Sequence, residues 1–67
     1  MLEITLNGTP RQFDEPVSVA VLLEREGLAG KRLAVERNGE IVPKSGHAEV
    51  RIEHGDRFEI VVAVGGG

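Results

Sequence analysis

Two Asn-Gly pairs, at residues 7–8 and 38–39, constrain the fold of this chain more than any other feature of its sequence. Asn and Gly readily adopt the positive φ angles of a tight hairpin turn, so each pair predicts two antiparallel strands. Before the first pair, residues 2–6 alternate apolar and polar side chains, which is the period of a half-buried strand. The chain is predicted to return through residues 11–14, with Phe13 directed into the core.

The second half of the chain continues in strands. Residues 33–36 alternate in the same way, as far as the second Asn-Gly pair. Beyond that pair the sequence predicts a short return strand at residues 40–42, which Pro43 stops, and then a loop at 44–47. Residues 50–52 are predicted to be a short strand or an extended connection. A turn at 54–56 leads to the last and most apolar strand, at 58–64.

A short helix of about two turns is predicted between the two hairpins. Ser18 is a good N-cap, because its hydroxyl can accept a hydrogen bond from an amide of the first turn. Val19, Leu22 and Leu23 then fall on one face at helical spacing. Gly27 suits the left-handed position that ends a helix.

The order of these elements predicts an α+β fold, with the helix packed on one face of a mixed sheet of four to five strands. The helix can serve as a right-handed crossover that places the last strand parallel to the first, in the middle of the sheet. This is the β-grasp, or ubiquitin-like, arrangement, although the pattern alone also permits other small α+β topologies. We expect a single domain at residues 1–64 and a flexible glycine tail at 65–67. The predicted core residues are Leu2, Ile4, Leu6, Phe13, Val19, Leu22, Leu23, Leu28, Leu33, Val35, Ile41, Val50, Ile52, Phe58, Ile60 and Val62.

The length and composition of the chain limit the classes of function that it can have. At 67 residues the chain leaves little room for both a core and a deep catalytic cavity, which favours a function carried on the surface. Cysteine is absent, so no thiol can act as a nucleophile or a sulfur store. The net charge of -3 and the scattered basic residues argue against nucleic acid or an acidic membrane as a partner. No signal peptide or membrane-spanning run is found, so we expect a cytoplasmic protein. We also expect the chain to be a monomer when free.

The last strand is apolar on both faces. Val61 and Ala63 lie opposite its predicted inward residues, which are Phe58, Ile60, Val62 and Val64. Two interpretations remain open. The strand is central and its outer face is covered by long neighbouring side chains, or Val61 and Ala63 form a docking surface for a partner.

The chain ends in an apolar strand followed by Gly65, Gly66 and Gly67. Residues 56–67 closely resemble the end of the ThiS family of thiamine-pathway sulfur carriers, which shows a Gly-Asp turn, an apolar strand and a free terminal Gly-Gly. Residues 18–23 look like the start of the family's helix, and residues 35–43 look like its central hairpin. The resemblance covers nearly the whole chain. It is weakest at residues 44–49, where the family often has an aromatic side chain and this sequence has none.

The resemblance implies a chemical cycle on the carboxylate of Gly67. An E1-like adenylyltransferase of the ThiF type would join that carboxylate to AMP from ATP. Sulfur from a cysteine desulfurase or another donor would then replace the AMP and leave a thiocarboxylate. A thiazole synthase of the ThiG type would take up this sulfur while it builds the thiazole ring. The chain is then a recycled co-substrate rather than an enzyme: it has no catalytic residue and binds no cofactor by itself, and the ATP is used by its partner.

The residue types of the tail suit this chemistry. Glycine removes steric bulk and admits unusual backbone angles, which helps a chain end to thread a narrow channel of a partner enzyme. Gly67 supplies the reacting carboxylate, and Gly65 and Gly66 supply reach. A terminal thiocarboxylate also explains how a chain without cysteine can carry sulfur. The competing interpretation is a frayed glycine end without function, since chain termini are commonly disordered.

Other functions remain open at this point. The same tail could carry sulfur for molybdopterin or another metabolite, or could join the chain to lysines of target proteins as a ubiquitin-like modifier. A plain β-grasp interaction module is a further alternative. His47 and His54 have no metal-ligand pattern around them, so no metal is expected, and no pair of carboxylates stands out as a general acid and base.

Overall fold

Both Asn-Gly pairs form the predicted hairpin turns. The structure, a computed structural model, describes residues 1–63, so that the end of the predicted domain at Val64 and the tail residues Gly65, Gly66 and Gly67 lie outside the described residues. The φ angles of the two pairs are 49° and 83° in the first turn and 51° and 88° in the second. The first turn joins β1 (Leu2–Leu6) to β2 (Thr9–Phe13), and the second joins β3 (Leu33–Arg37) to β4 (Glu40–Val42).

One sheet holds all the named strands of residues 1–63. The last strand, β5 (Arg57–Val62), runs parallel to β1 and antiparallel to β3, which gives the order β2-β1-β5-β3-β4. The strand that precedes the tail is therefore the central one, with a neighbour on each side. The predicted α+β fold, a mixed β-grasp sheet with one helix, is confirmed with five strands.

The helix, α1 (Val19–Arg25), begins at the predicted N-cap. The Ser18 hydroxyl accepts a hydrogen bond of 3.1 Å from the backbone N–H of Val21. The helix buries Val19, Leu22 and Leu23, and its apolar side packs into the same core as Ile4 and Phe58.

Gly27 ends the helix with a φ of 74°, which a side chain would strain. The backbone N–H of Leu28 then donates to the carbonyl of Leu23 at 2.8 Å, and this bond turns Leu28 back toward the helix. Leu28 is half-buried and packs against the core, as predicted.

Two predicted core residues are wrong. Val62 is 36% exposed, because it lies at the end of β5 opposite Leu33, which is itself only half-buried. Ile41 is 62% exposed, whereas its neighbour Val42 is buried. The reason is the register of the second hairpin, which places Val42 opposite the buried Val35 and Ile41 opposite Glu36 on the other face of the sheet. The core also contains Val17, which lies before the helix and which the sequence pattern did not single out.

The connection between β4 and β5 differs in part from the prediction. The predicted loop after Pro43 contains a short 3₁₀ turn, Lys44–Gly46. Residues 50–52 form an extended connection with a single isolated bridge between Arg51 and Ser18, and Ile52 is fully buried there as predicted. Within residues 1–63, no helix has the length and apolar character needed to cross a membrane.

Candidate functional site

The site proposed from the sequence is a tail and the strand that carries it. The tail residues Gly65, Gly66 and Gly67 lie outside the described residues, whereas Val61 and Ala63 lie within them. The last described residue is held in place, because the backbone N–H of Ala63 donates to the carbonyl of Arg32 at 2.8 Å. The structure therefore defines the point from which the tail departs, beside the start of β3.

The middle of β5 is fixed by a side chain from the first turn. The Asn7 side-chain amide donates to the carbonyl of Ile60 at 3.1 Å, and the backbone N–H of Ile60 donates to the Asn7 side-chain oxygen at 2.8 Å. These two bonds continue the pairing of β5 beyond the end of β1, where the backbone of the parallel strand has already turned away. Asn7 therefore has a second role, which is to hold the middle of β5, and the Asn-Gly pattern alone does not predict it.

The start of β5 is anchored by a buried carboxylate. Asp56 is only 6% exposed and accepts hydrogen bonds from Arg37 Nε at 2.9 Å, from Asn38 Nδ2 at 3.1 Å and from the backbone N–H of Glu53 at 2.8 Å. The hydrogen bond from Arg37 to Asp56 raises the pKa of the Arg37 guanidinium. Asp56 shapes the predicted turn before β5 and also ties that turn to the second hairpin.

The outer face of the sheet, opposite the helix, carries the predicted docking residues. Val61 is 66% exposed, so the described residues do not cover it with long side chains. Ala34 lies opposite Val61 on β3 and is also exposed, as is Ala63. We call Val61, Ala63 and Ala34 the outer patch.

A groove lies at the same end of the sheet as the departure point, on the helix side. Its volume is about 360 Å³, and its apolar side is formed by Leu23, Leu28 and Leu33. Three basic residues, Lys31, Arg32 and Lys44, also line it and are exposed. We call this the basic groove, defined by those six residues. No sequence pattern predicts this groove, because its residues come from three separate segments.

The two histidines have ordinary structural roles. His47 Nε2 lies 3.2 Å from the carbonyl oxygen of Val42, and His54 Nδ1 accepts a hydrogen bond of 3.0 Å from the backbone N–H of Glu3. In the part of the chain that the structure describes, no three His, Asp or Glu side chains are grouped as metal ligands would be.

The sequence matches a protein-family model. The model is that of the ThiS family, and the match covers residues 4–67, which includes the tail.

Two kinds of relatives are similar over almost the full chain. A thiazole synthase of Paramagnetospirillum magneticum is 44% identical over 66 residues, and a thiazole synthase of Magnetococcus marinus is 33% identical over 66 residues. Each match covers 98% of this chain but only 20% of the synthase, so the chain spans about one fifth of the length of these relatives. The uncharacterized protein ycf40 of Porphyra purpurea is 33% identical, and the match covers 93% of that protein.

A solved structure shows the same fold. The crystal structure of a thiamine biosynthesis protein, ThiS, from Geobacter metallireducens superposes with a TM-score of 0.83 at 30% sequence identity. The alignment covers 98% of this chain and all of that protein.

Proposed function

This chain belongs to the ThiS family, and we propose that it carries sulfur for thiamine biosynthesis on the carboxylate of Gly67. The observation that carries the proposal is the family match, which extends through Gly65, Gly66 and Gly67. The central position of β5 supports it, because the tail then departs from a strand that has a paired neighbour on each side. A rigid departure point reduces the conformational freedom that a partner must remove when it aligns the carboxylate.

The chemistry begins with activation, since a free carboxylate is a poor electrophile. The Gly67 carboxylate attacks the α-phosphate of ATP in an adenylyltransferase, and pyrophosphate leaves. The outer sulfur of the persulfide that a cysteine desulfurase forms then attacks the acyl carbon and displaces AMP, and a thiol cleaves the resulting acyl disulfide, becoming oxidised to a disulfide itself. A donor that supplies sulfide would displace AMP directly. The product is a thiocarboxylate, whose sulfur passes to thiazole synthase. The free carboxylate is regenerated, so the chain is a co-substrate and its partners do the catalysis.

The lengths of the relatives support a thiazole synthase as the partner. In the two relatives named thiazole synthase, the segment similar to this chain is part of a polypeptide about five times as long. Two functions on one polypeptide meet at a high effective concentration, which is useful when one acts on the other. These relatives also favour thiamine over molybdopterin as the destination of the sulfur. We expect the exchange to occur in the cytoplasm, where ATP is available.

The proposal predicts a change in mass. The chain ending at Gly67, incubated with an adenylyltransferase of this pathway, ATP, cysteine, a cysteine desulfurase and a thiol reductant, should gain the mass difference of one oxygen-to-sulfur exchange. Intact-mass spectrometry measures this directly, and fragmentation should place the change on Gly67. Omission of ATP is the control and should leave the mass unchanged. If the complete mixture also leaves it unchanged, the chain is not a carrier of this kind.

The outer patch is proposed as a contact with the adenylyltransferase. Val61→Gln should raise the KM for the carrier about tenfold, because the variant loses the burial of an apolar side chain worth about 1.5 kcal/mol. Initial rates of pyrophosphate release at increasing carrier concentration give KM and kcat separately.

The matched control is Gln12→Ala, on the edge strand β2 and therefore two strands away from β5. It should leave KM unchanged. Both variants should unfold within about 0.5 kcal/mol of the parent, as exposed substitutions usually do. An unchanged KM in Val61→Gln would remove the outer patch from the contact.

A further inference from the structure

We propose that the basic groove is a second docking site, which receives an acidic segment of the adenylyltransferase with an apolar side chain at its tip. This inference rests on the proposed function, because it needs an enzyme that takes Gly67 into its active site. It adds a contact on the helix side of the sheet, opposite the outer patch. The carrier would then be held on both faces at the end from which its tail departs.

The position of the groove supports this docking. Ala63 is hydrogen bonded to the carbonyl of Arg32, and Arg32 lines the groove. Beyond Ala63 the chain has four residues, and four residues span at most about 14 Å when fully extended. An enzyme that holds the Gly67 carboxylate beside a nucleotide must therefore bring its surface close to Ala63. Arg32 and its neighbours fall inside that contact.

The charge of the groove indicates the chemistry of what binds there. Lys31, Arg32 and Lys44 gather at this end of the fold, and none of the three forms a salt bridge with a carboxylate of residues 1–63. Among the residues that line the groove and the hollow beside it, these three cations stand against one carboxylate, Glu24. A basic cluster on a chain with a net charge of -3 favours an acidic partner surface.

The reaction itself supplies a reason for such an attraction. An acidic carrier with a terminal carboxylate must approach an enzyme that holds the polyanionic ATP. Opposite charges at the edge of the contact offset that repulsion and raise the association rate. In electrostatically steered associations this increase ranges from about ten- to a thousandfold. Phosphates of ATP itself are a less suitable occupant, since the apolar side of the groove matches a side chain.

The apolar side of the groove accounts for the second part of the proposal. Leu28 and Leu33 are half-buried and pack against the core, while Leu23 is buried beneath them. Their exposed fraction, together with a volume of about 360 Å³, can accept one aliphatic or aromatic side chain. A polar or purely acidic segment would leave this surface in contact with water.

The test compares two double variants with the same change of net charge. Lys31→Glu/Lys44→Glu reverses two cations of the groove. Arg51→Glu/Arg57→Glu reverses two exposed cations at the other end, where Arg51 bridges to Ser18 and Arg57 begins β5. We expect the groove variant to raise the KM for the carrier in pyrophosphate release about tenfold at low salt, with kcat unchanged. The control variant should change KM less than threefold, and the difference should shrink as salt is raised.

A binding measurement separates the groove from general electrostatics. Addition of the adenylyltransferase to the methyl-labelled parent chain should shift the methyl resonances of Leu28 and Leu33. The same addition to the groove variant at equal concentration should shift them much less. Circular dichroism of both double variants checks that they remain folded.

The outcomes are distinct. If the parent chain is activated but both double variants have equal KM values, or if the leucine methyls do not respond, the groove is not a docking site. If the groove variant is activated normally and is impaired only when its sulfur passes to thiazole synthase, the groove belongs to that partner and the assignment is wrong. If the parent chain is never activated, both this inference and the proposed function fail.

Discussion

Removal of Gly67 is expected to abolish thiocarboxylate formation while the fold persists. The shortened chain still ends in Gly65-Gly66, so it keeps a slim glycine end. In the proposed reaction its carboxylate falls about 3.5 Å short of the position that the Gly67 carboxylate occupies. Because a misplacement of about 1 Å can cost a hundredfold in rate, the expected loss is more than a hundredfold. Pyrophosphate release and intact mass, measured at saturating concentration of the shortened chain, check this result.

Two controls separate the effect of the length of the tail from the effect of its residue types. Gly66→Ala keeps the length and adds one methyl group, and it should retain more activity than the shortened chain if reach is the main requirement. The far-ultraviolet circular dichroism and unfolding midpoint of the shortened chain should match those of the parent, since the core described here lies within residues 1–63. Full activity of the shortened chain would mean that any terminal glycine suffices and that the third glycine has no role in positioning.

Asp56→Ala is expected to be the most destabilising single substitution among the polar residues named here, at about 3 kcal/mol. The carboxylate is nearly buried, and its loss leaves Arg37, Asn38 and the N–H of Glu53 without their acceptor. Removal of one partner of a buried pair costs about 3–5 kcal/mol, and the partial exposure of Arg37 places this case at the lower end. For a 67-residue domain, a total stability of about 3–10 kcal/mol is ordinary, so much of it would be lost.

Urea unfolding followed by circular dichroism measures this loss, because the chain has no Trp or Tyr for fluorescence. The matched control is Glu53→Ala, which removes the other carboxylate that pairs with Arg37 but is 75% exposed. It should cost less than about 1 kcal/mol. Equal losses in the two variants would show that burial of Asp56 is not the source of its effect.

The pH dependence of the Arg37 contribution follows from the direction of its shift. Asp56 raises the pKa of Arg37 above its ordinary value, so the folded state holds the guanidinium proton more tightly than the unfolded chain does. The stabilisation from Arg37 is fully present below the pKa that this residue has in the unfolded chain. It is lost as the pH rises through the higher pKa that Arg37 has in the folded state. It therefore persists across the neutral range and fades only in strongly alkaline solution.

The parts of the fold that the sequence predicts well are those decided by local chemistry. The Asn-Gly turns, the Ser18 cap and the Gly27 helix end each depend on a few neighbouring residues, and each is found in the structure. Ile41 shows where the apolar pattern falls short, because two consecutive apolar residues in a three-residue strand do not define which one points inward. The two-residue turn does define it: pairing across Asn38-Gly39 places Val42 opposite Val35.

The candidate site is predictable only in part, because its remaining features join distant segments. Asp56 reaches the second hairpin and Asn7 reaches β5, and neither contact follows from residue spacing. The basic residues are scattered along the sequence, yet the fold gathers three of them beside the departure point of the tail. The three glycines are evident from the sequence, and their proposed role is supported by the family match, which extends through them.

The central position of β5 also has a mechanical consequence. A partner that grips the tail and draws it into a channel pulls along the axis of this strand. Its backbone is paired antiparallel with β3 along residues 58–62 and parallel with β1 at residues 57 and 58, and the antiparallel bonds lie across the strand axis, so a pull along the strand loads them together instead of one at a time. An edge strand such as β4 offers bonds on one side only. A strand paired in this way resists being drawn out of the sheet when the chain is pulled at its C-terminal end, as the proposed cycle of loading and unloading would require.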